Sequence, residues 1–456
     1  ILMMNSEIKN LFFIIFSALI LRILFDVINS MGIHYEEAQY WVWSQNPSLS
    51  YLTKGPFIAN AIAISEWIFG YGYLGLKFLS FDAYAGTALI LGFCAYLISE
   101  EKTAFYLGVI FTLFSPAIFA LGGVATTDIF LFFFWSLCLL GYVKFLKTKD
   151  ERWFYLIAIG IGFGVLTKLS IILFPLSVLL YFAISQYRTY FRSVTLYKAM
   201  LVALTLGLPI LIWNYQNDWV SIQHEFGHLV SDNPTTNPEV LFFTLLITIP
   251  SILFVLNKKF YQFTQNKIVQ PILIPTFFVL LFFLFKSIAG KIQLNWAIPL
   301  FISLIPIVSA FLSKLRFKYL VLNFAGIILL FIFSNINFTK NFTPNDPMHA
   351  LRGWESEIVE LFGDSSYDII VSNDYKLLSL SAYYLNDSQN LFLDSPKNSR
   401  LTYYDLWDKA VEKNDAILYV SYSNKSVLDR SLDCSYLNSV NNHSRKQLTL
   451  YTCKKL

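Results

Sequence analysis

Long apolar runs alternate with short polar stretches along most of this chain. A helix needs about 20 apolar residues to cross a bilayer, somewhat fewer where the membrane thins. Runs of that order lie near 9–30, 74–99, 103–122, 128–146, 153–168, 169–187, 198–216, 239–256, 268–287, 294–312 and 318–335. Each predicts a transmembrane helix, about eleven in all. The stretch 153–187 has the length of a tight helical hairpin turning at Thr167–Lys168. Segment 56–72 is apolar but ends in GYGYLG, which predicts an interfacial helix lying on the membrane. The first run lacks a small-residue cleavage site and continues towards Glu36, so it reads as a span and not as a signal peptide.

The pattern changes after residue 335. DIIVSND, NLFLD, AILYVSY and QLTLYTC are short β-branched and aromatic runs with turn residues between them, and predict strands. HALRGWESEIVELFG and TYYDLWDKAVEKN have helical periodicity. The expected organisation is therefore a membrane domain over 1–335 and a small soluble α/β domain over 336–456.

Composition agrees with a polytopic α-helical membrane protein. Of 456 residues, 56% are hydrophobic, 18% aromatic and only 14% charged, against about 25% charged in a soluble domain. The mean hydropathy is +0.54. A net charge of +4 is uninformative by itself, but its placement sets an orientation. With the N-terminus inside, the inner loops carry Lys102, Lys147, Lys149, Arg152, Arg188, Arg192, Lys198, Lys258, Lys259, Lys267, Lys314, Arg316 and Lys318. The outer short loops carry only Lys54, Lys77, Lys168, Lys286 and Lys291. An odd number of spans then puts the soluble domain outside. Basic residues lie in short clusters between apolar runs, which gives no surface for nucleic acid. Cys94 and Cys138 lie in apolar runs and read as small hydrophobes. Cys434 and Cys453 lie in the outer domain, where they are expected to form a disulfide.

The orientation gathers the unusual polar residues on one face. Glu36, Glu37, Lys54, Asp128, Lys168, His224, Glu225, His228, Lys291 and Asn295 all fall in outer loops or at outer ends of spans. The densest stretch is Gly32–Phe57, where helical spacing puts Glu36, Tyr40 and Trp43 on one face and Glu37 with Trp41 on another. Its acids either start a helix or serve a polar substrate. Asp128, in GGVATTDIFLFFFW, either caps the next span or points into a cavity. Lys168 either snorkels to the interface or meets an anion. Lys54 beside Gly55-Pro56 is a point charge suited to phosphate. His224, Glu225 and His228 have i, i+4 histidine spacing without HExxH, so a solvated loop, a substrate contact and a metal site all remain open.

Several segments together resemble the bacterial lipid-sugar-dependent glycosyltransferases related to protein O-mannosyltransferases, nearest the branch that modifies lipid A with aminoarabinose. They are HYEEAQYWVWSQNPSLSYLTKGPFIA, LGGVATTDIFLFFFWSL, GFGVLTKLSIILFP, PILIWNYQNDWVSIQHE, KIQLNWAIP and IIVSNDYKLLSLSAYYL, in the family's order over nearly the whole chain. The resemblance implies a GT-C fold and inverting transfer from a polyprenyl (undecaprenyl) phosphate sugar to a lipid A, other glycan or protein acceptor. It implies a multi-pass protein of the bacterial inner membrane with its active site facing the periplasm and membrane lipids around it. Glu36 matches the first-loop catalytic acid, with Glu37 second, and Asp128 matches the second-loop acid. Lys54 and Lys168 match the positions that hold the lipid phosphate. Tyr40, His224 and Asn295 are the further substrate-binding candidates. The first-loop acid is usually Asp in the family, and the residue before the lysine is often an acid or aromatic where Thr53 stands here. No cofactor is required on this reading; a divalent metal is compatible with it, but no specific motif supports one.

The chemistry suits these residues. The leaving lipid phosphate departs already charged and needs cations rather than a proton, and the acceptor needs a base or positioning acid. The alternative is a transporter or flippase of lipid-linked substrates. That class places polar residues near the bilayer midplane on broken helices, often in inverted repeats. Here they sit at one face, and no repeat is visible.

Overall fold

The apolar runs fold as helices, because in lipid a backbone must satisfy its own N–H and C=O groups. The computed structural model describes residues 5–224, 236–255, 258–313, 320–335, 348, 351–395, 401–407, 411–413, 415–422, 432–441 and 447–455. In chain order the helices begin with α1 (Asn5–Ile28), α2 (Tyr35–Gln45), α3 (Phe57–Phe69), α4 (Tyr73–Ser99), α5 (Lys102–Leu113) and α6 (Pro116–Gly122). There follow α7 (Thr127–Thr148), α8 (Trp153–Val165), α9 (Leu173–Ile184), α10 (Val194–Gln216), α11 (Glu239–Thr248) and α12 (Lys258–Thr264). The last are α13 (Val269–Ala289), α14 (Leu294–Ile302), α15 (Ile305–Leu312), α16 (Val321–Asn335), α17 (Trp354–Phe362) and α18 (Tyr375–Tyr384).

Among the described residues, five helices are long and apolar enough to cross a bilayer: α1, α4, α7, α10 and α13. Three further runs are bent. α5 meets α6 at 62°, α14 meets α15 at 47°, and Leu169–Ile184 turns by 111° into Gln186–Arg192. Counting each bent pair as one span gives up to eight. The helices α3, α8, α11 and α16 are apolar but shorter. The break expected near Thr167–Lys168 is present. α8 stops at Val165, Thr167 and Lys168 both donate backbone N–H to Gly164 O, and a 3-10 turn over Leu169–Ile172 leads into α9.

The chain divides into two compact units. One comprises Ile1–Ile23, Thr53–Ile58 and Lys77–Leu330. Within it α7 packs on α8, α8 on α10, α5 on α15, α9 on α13 and α11 on α14. Buried polar tips are satisfied in place: Trp135 Nε1 donates to Ser303 Oγ at 2.8 Å and Tyr142 Oη to Pro271 O at 2.9 Å.

The other unit comprises Leu24–Leu52, Ala59–Leu76 and Phe331–Leu456. Its centre is a five-stranded sheet in the order β2-β1-β3-β5-β4, with β1 (Ile369–Ser372), β2 (Leu391–Leu393), β3 (Ile417–Tyr422), β4 (Leu432–Asn441) and β5 (Gln447–Lys455). β1 pairs parallel with β2 and β3, while β5 runs antiparallel to β3 and β4. Cys434 and Cys453 stand opposite each other in the β4–β5 ladder and are joined by a disulfide. Cys94 and Cys138 are buried free thiols.

Two details depart from the sequence reading of this unit. β4 was not expected, since LDCSYLNSVN is rich in Ser and Asn; it is an edge strand, which needs one partner and no buried face. The helix expected over 402–414 is, among the described residues, a 3-10 turn at Tyr403–Leu406. Asp405 accepts from Thr402 N and Oγ1 at 2.6 and 2.7 Å, a capping box at the start of that turn. α2 and α18 pack together in this unit, with Trp41 edge-on to Tyr383 at 5.4 Å and Ile33 N–H donating to Tyr384 Oη at 3.1 Å.

Candidate active site

Asp128 is the second residue of α7, where the helix dipole favours a carboxylate. It is 6% exposed, and both its oxygens are engaged. Lys168 Nζ donates to Oδ1 at 2.7 Å, and Asn295 Nδ2 donates to Oδ2 at 2.7 Å. Lys168 reaches it from the extended residue between α8 and the following 3-10 turn. Asn295 comes from the first turn of α14. The loop ahead of Asn295 is fixed by Asn237, whose side chain donates to Ile292 O at 2.7 Å and accepts from Ile292 N at 2.9 Å. Three elements far apart in sequence thus converge on one carboxylate. A buried ion is tolerated only when paired and hydrogen-bonded, and this one is both.

Lys54 belongs to the same unit and approaches the same corner. Gly55 packs so closely on α8 that a Cβ there would lie 2.1 Å from Leu166 O, and Phe57 N–H donates to that carbonyl at 3.0 Å. Only glycine permits this approach, which docks the Lys54 turn two residues from Lys168. Phe57 reinforces it, with its ring 5.2 Å from Phe130 and 4.9 Å from Phe134.

The first-loop acids lie in the second unit, at the start of α2, in different surroundings. Glu37 is fully buried, and its Oε2 accepts from His34 N at 3.0 Å. His34 Nδ1 in turn accepts from Glu36 N at 3.3 Å. This is a reciprocal capping box. Glu36, the second residue of the helix, remains partly exposed. Beside it Tyr35 carries the Lys376 ammonium over its ring at 4.5 Å. Burial, and then the neighbouring Glu36 charge, push the Tyr35 phenol well above its ordinary value. Tyr40 is buried, its ring 5.1 Å from that of Trp43.

His224 lies in a helical turn after α10 that Asn214 holds by accepting Ile222 N–H at 3.3 Å. Glu225 and His228 lie outside the described residues. Among the described residues, no three of His, Cys, Asp and Glu are grouped to hold a metal ion. Two further cations are buried in the first unit. Arg22 lies inside an apolar run, and Lys77, counted with the outer-loop lysines, is buried within α4. Their only signal was a charge inside a span.

Residues 53–213 match the family described as dolichyl-phosphate-mannose-protein mannosyltransferase. Lipid A galacturonosyltransferase RgtD of Rhizobium johnstonii is 24% identical over 391 residues, covering 81% of this chain and 81% of that protein. The crystal structure of ArnT from Cupriavidus metallidurans bound to undecaprenyl phosphate superposes with a TM-score of 0.71 at 12% identity, covering 96% of this chain and 97% of that one. Its apo state gives the same TM-score and identity, covering 98% of each chain. At that identity the likeness concerns the fold. Residues 53–213 thus match a mannosyltransferase family, inside a chain similar to a lipid A galacturonosyltransferase in sequence and to ArnT in fold along nearly its whole length.

Proposed function

We propose that the protein moves a sugar from a polyprenyl-phosphate donor to lipid A or a related glycan acceptor on the periplasmic face of the inner membrane. The observation that carries this reading is the Lys168–Asp128–Asn295 cluster beside the docked Lys54 turn. An ammonium has three N–H donors, and Asp128 takes one from Lys168. The carboxylate thereby aims the ammonium, leaving donors for a phosphate oxygen. Lys54 supplies the second cation. The names of the relatives point the same way: RgtD is a lipid A galacturonosyltransferase, and the ArnT crystal contained undecaprenyl phosphate.

In the reaction the bond from the anomeric carbon to the phosphate oxygen breaks, and its electron pair leaves with the phosphate. Lys54 and Lys168 stabilise that charge. The acceptor oxygen bonds the anomeric carbon from the opposite side and inverts it. Glu36 receives the proton when the acceptor is a hydroxyl, and orients the acceptor when it is already ionised. Glu37, occupied in the helix cap, holds Glu36 in place. Tyr40, buried against Trp43, backs the same helix, and His224 meets the substrate from the turn after α10.

The test is reconstitution of the purified protein in liposomes with lipid A and undecaprenyl-phosphate-linked galacturonic acid or aminoarabinose. Product is read by mass spectrometry. Glu36→Gln, Asp128→Asn and Lys54→Ala are each expected to lower transfer by about 100-fold or more. Full transfer by all three variants would defeat the assignment. Lipid movement between leaflets, with no transfer from either donor, would defeat the enzymatic reading.

A further inference from the structure

Two buried cations outside the cluster converge on one backbone corner. Arg22 of α1 is 2% exposed and Lys77 of α4 is 1% exposed. Burying such charges in a membrane-spanning unit is costly unless their partners repay it. Arg22 Nη2 donates to Ala120 O at 3.3 Å, and its guanidinium lies 5.5 Å from the Phe119 ring centroid. Lys77 Nζ donates to Gly123 O at 2.9 Å. Both carbonyls belong to the end of α6 and the turn that leads into α7. The turn is shaped for this contact: a Cβ on Gly123 would lie 2.2–2.4 Å from the Arg22 guanidinium atoms.

Cations do complement the C-terminal end of a helix, but α6 is only Pro116–Gly122, and a polar uncharged side chain satisfies such carbonyls at lower cost. The segment just beyond the corner gives the arrangement its purpose. Between Gly123 and Asp128 the chain turns through backbone bonds from Val124 N to Leu121 O at 3.1 Å and from Thr126 N to Val124 O at 2.9 Å. Thr126, the cap residue of α7, makes no side-chain capping bond. The first turn of α7 is thus held from outside its own helix as well, by the two cations behind it and by Lys168 and Asn295 in front.

We propose that Arg22 and Lys77 are positioning residues: by clamping the Ala120 and Gly123 carbonyls they set the place of Asp128, and through it the direction of the Lys168 ammonium. This inference rests on the reading of Asp128 given above. A misplacement of about 1 Å at a reacting group can cost about 100-fold in rate.

The experiment measures kcat and donor KM in the liposome transfer assay for wild type, Lys77→Met, Gly123→Ala, Asp128→Asn and the Lys77→Met/Asp128→Asn pair. Lys77→Met removes the donor while keeping an unbranched buried side chain. Gly123→Ala keeps both cations but displaces the guanidinium, and it decides the matter should Lys77→Met not be recovered folded. The expected result is a fall in kcat of about tenfold or more in each single variant, with donor KM changed less than about twofold. In the Asp128→Asn background, Lys77→Met should lower kcat by less than about twofold further. Wild-type kcat in folded Lys77→Met and Gly123→Ala, or losses that multiply with Asp128→Asn, would overturn the inference. Wild-type transfer by Asp128→Asn would instead overturn the reading of the site on which it rests.

Discussion

α2 and α7 both begin with acids, and the two helix starts use them differently. At α2 the buried Glu37 carboxylate accepts from the backbone of His34, three residues back. At α7 the Asp128 carboxylate is held by side chains 40 and 167 residues away in sequence. An acid that accepts from the backbone of its own turn anchors the start of its helix. An acid whose partners arrive from separate elements costs more to maintain, because each partner must be placed by tertiary packing. It also gives the fold a charged group whose geometry a ligand can exploit. The same helix-dipole preference admits both acids, and the convergence of distant elements on Asp128 is what puts the proposed site there.

The largest expected contrast is in transfer rate. Asp128→Asn should lose about two to three orders of magnitude in kcat, more than the lower melting temperature from the unpaired Lys168 ammonium accounts for, measured by liposome transfer and thermal fluorescence. A loss fully explained by unfolding would make the cluster a structural device like the α2 cap. Next in size is the disulfide, which closes 19 residues of sequence separation between β4 and β5. Cys434→Ser should destabilise the sheet-containing unit by about 3 kcal/mol, seen as a lower melting temperature that reductant produces in wild type as well. An unchanged melting temperature in both would show that the β4–β5 ladder holds without the bridge. The smallest effect belongs to Glu37→Ala, which should cost about 1 kcal/mol for the lost cap and reduce transfer far less than Glu36→Gln. The reverse order of activity losses would move the working acid from Glu36 to Glu37.

Much of this fold was legible because lipid leaves the backbone few options. The apolar runs had to be helices, and the break at Thr167–Lys168 followed from the length of 153–187. The strand runs around Ile370, Phe392, Tyr419 and Leu450 were legible from β-branched and aromatic content. β4 was not, because its polar residues suit an edge strand and a loop equally. At the site, local grammar reached Asp128 as a cap candidate and Glu37 as a helix starter. It did not reach the convergence of Lys168 and Asn295 on Asp128, which depends on how α7, α8 and α14 pack and leaves no periodic trace. Lys77 was misplaced for a related reason: charge counting assigns a lysine to a loop, whereas here it is buried within α4, where it donates to the Gly123 carbonyl among its contacts.

Whether the Asp128 carboxylate works through the Lys168 ammonium is read from a double-mutant cycle. kcat is measured with an undecaprenyl-phosphate sugar donor for wild type, Asp128→Asn, Lys168→Gln and the double variant. If the carboxylate acts by aiming the ammonium, the double variant should be no slower than the slower single variant, within about twofold. Losses that multiply in the double variant, or single variants that transfer at the wild-type rate, would contradict it.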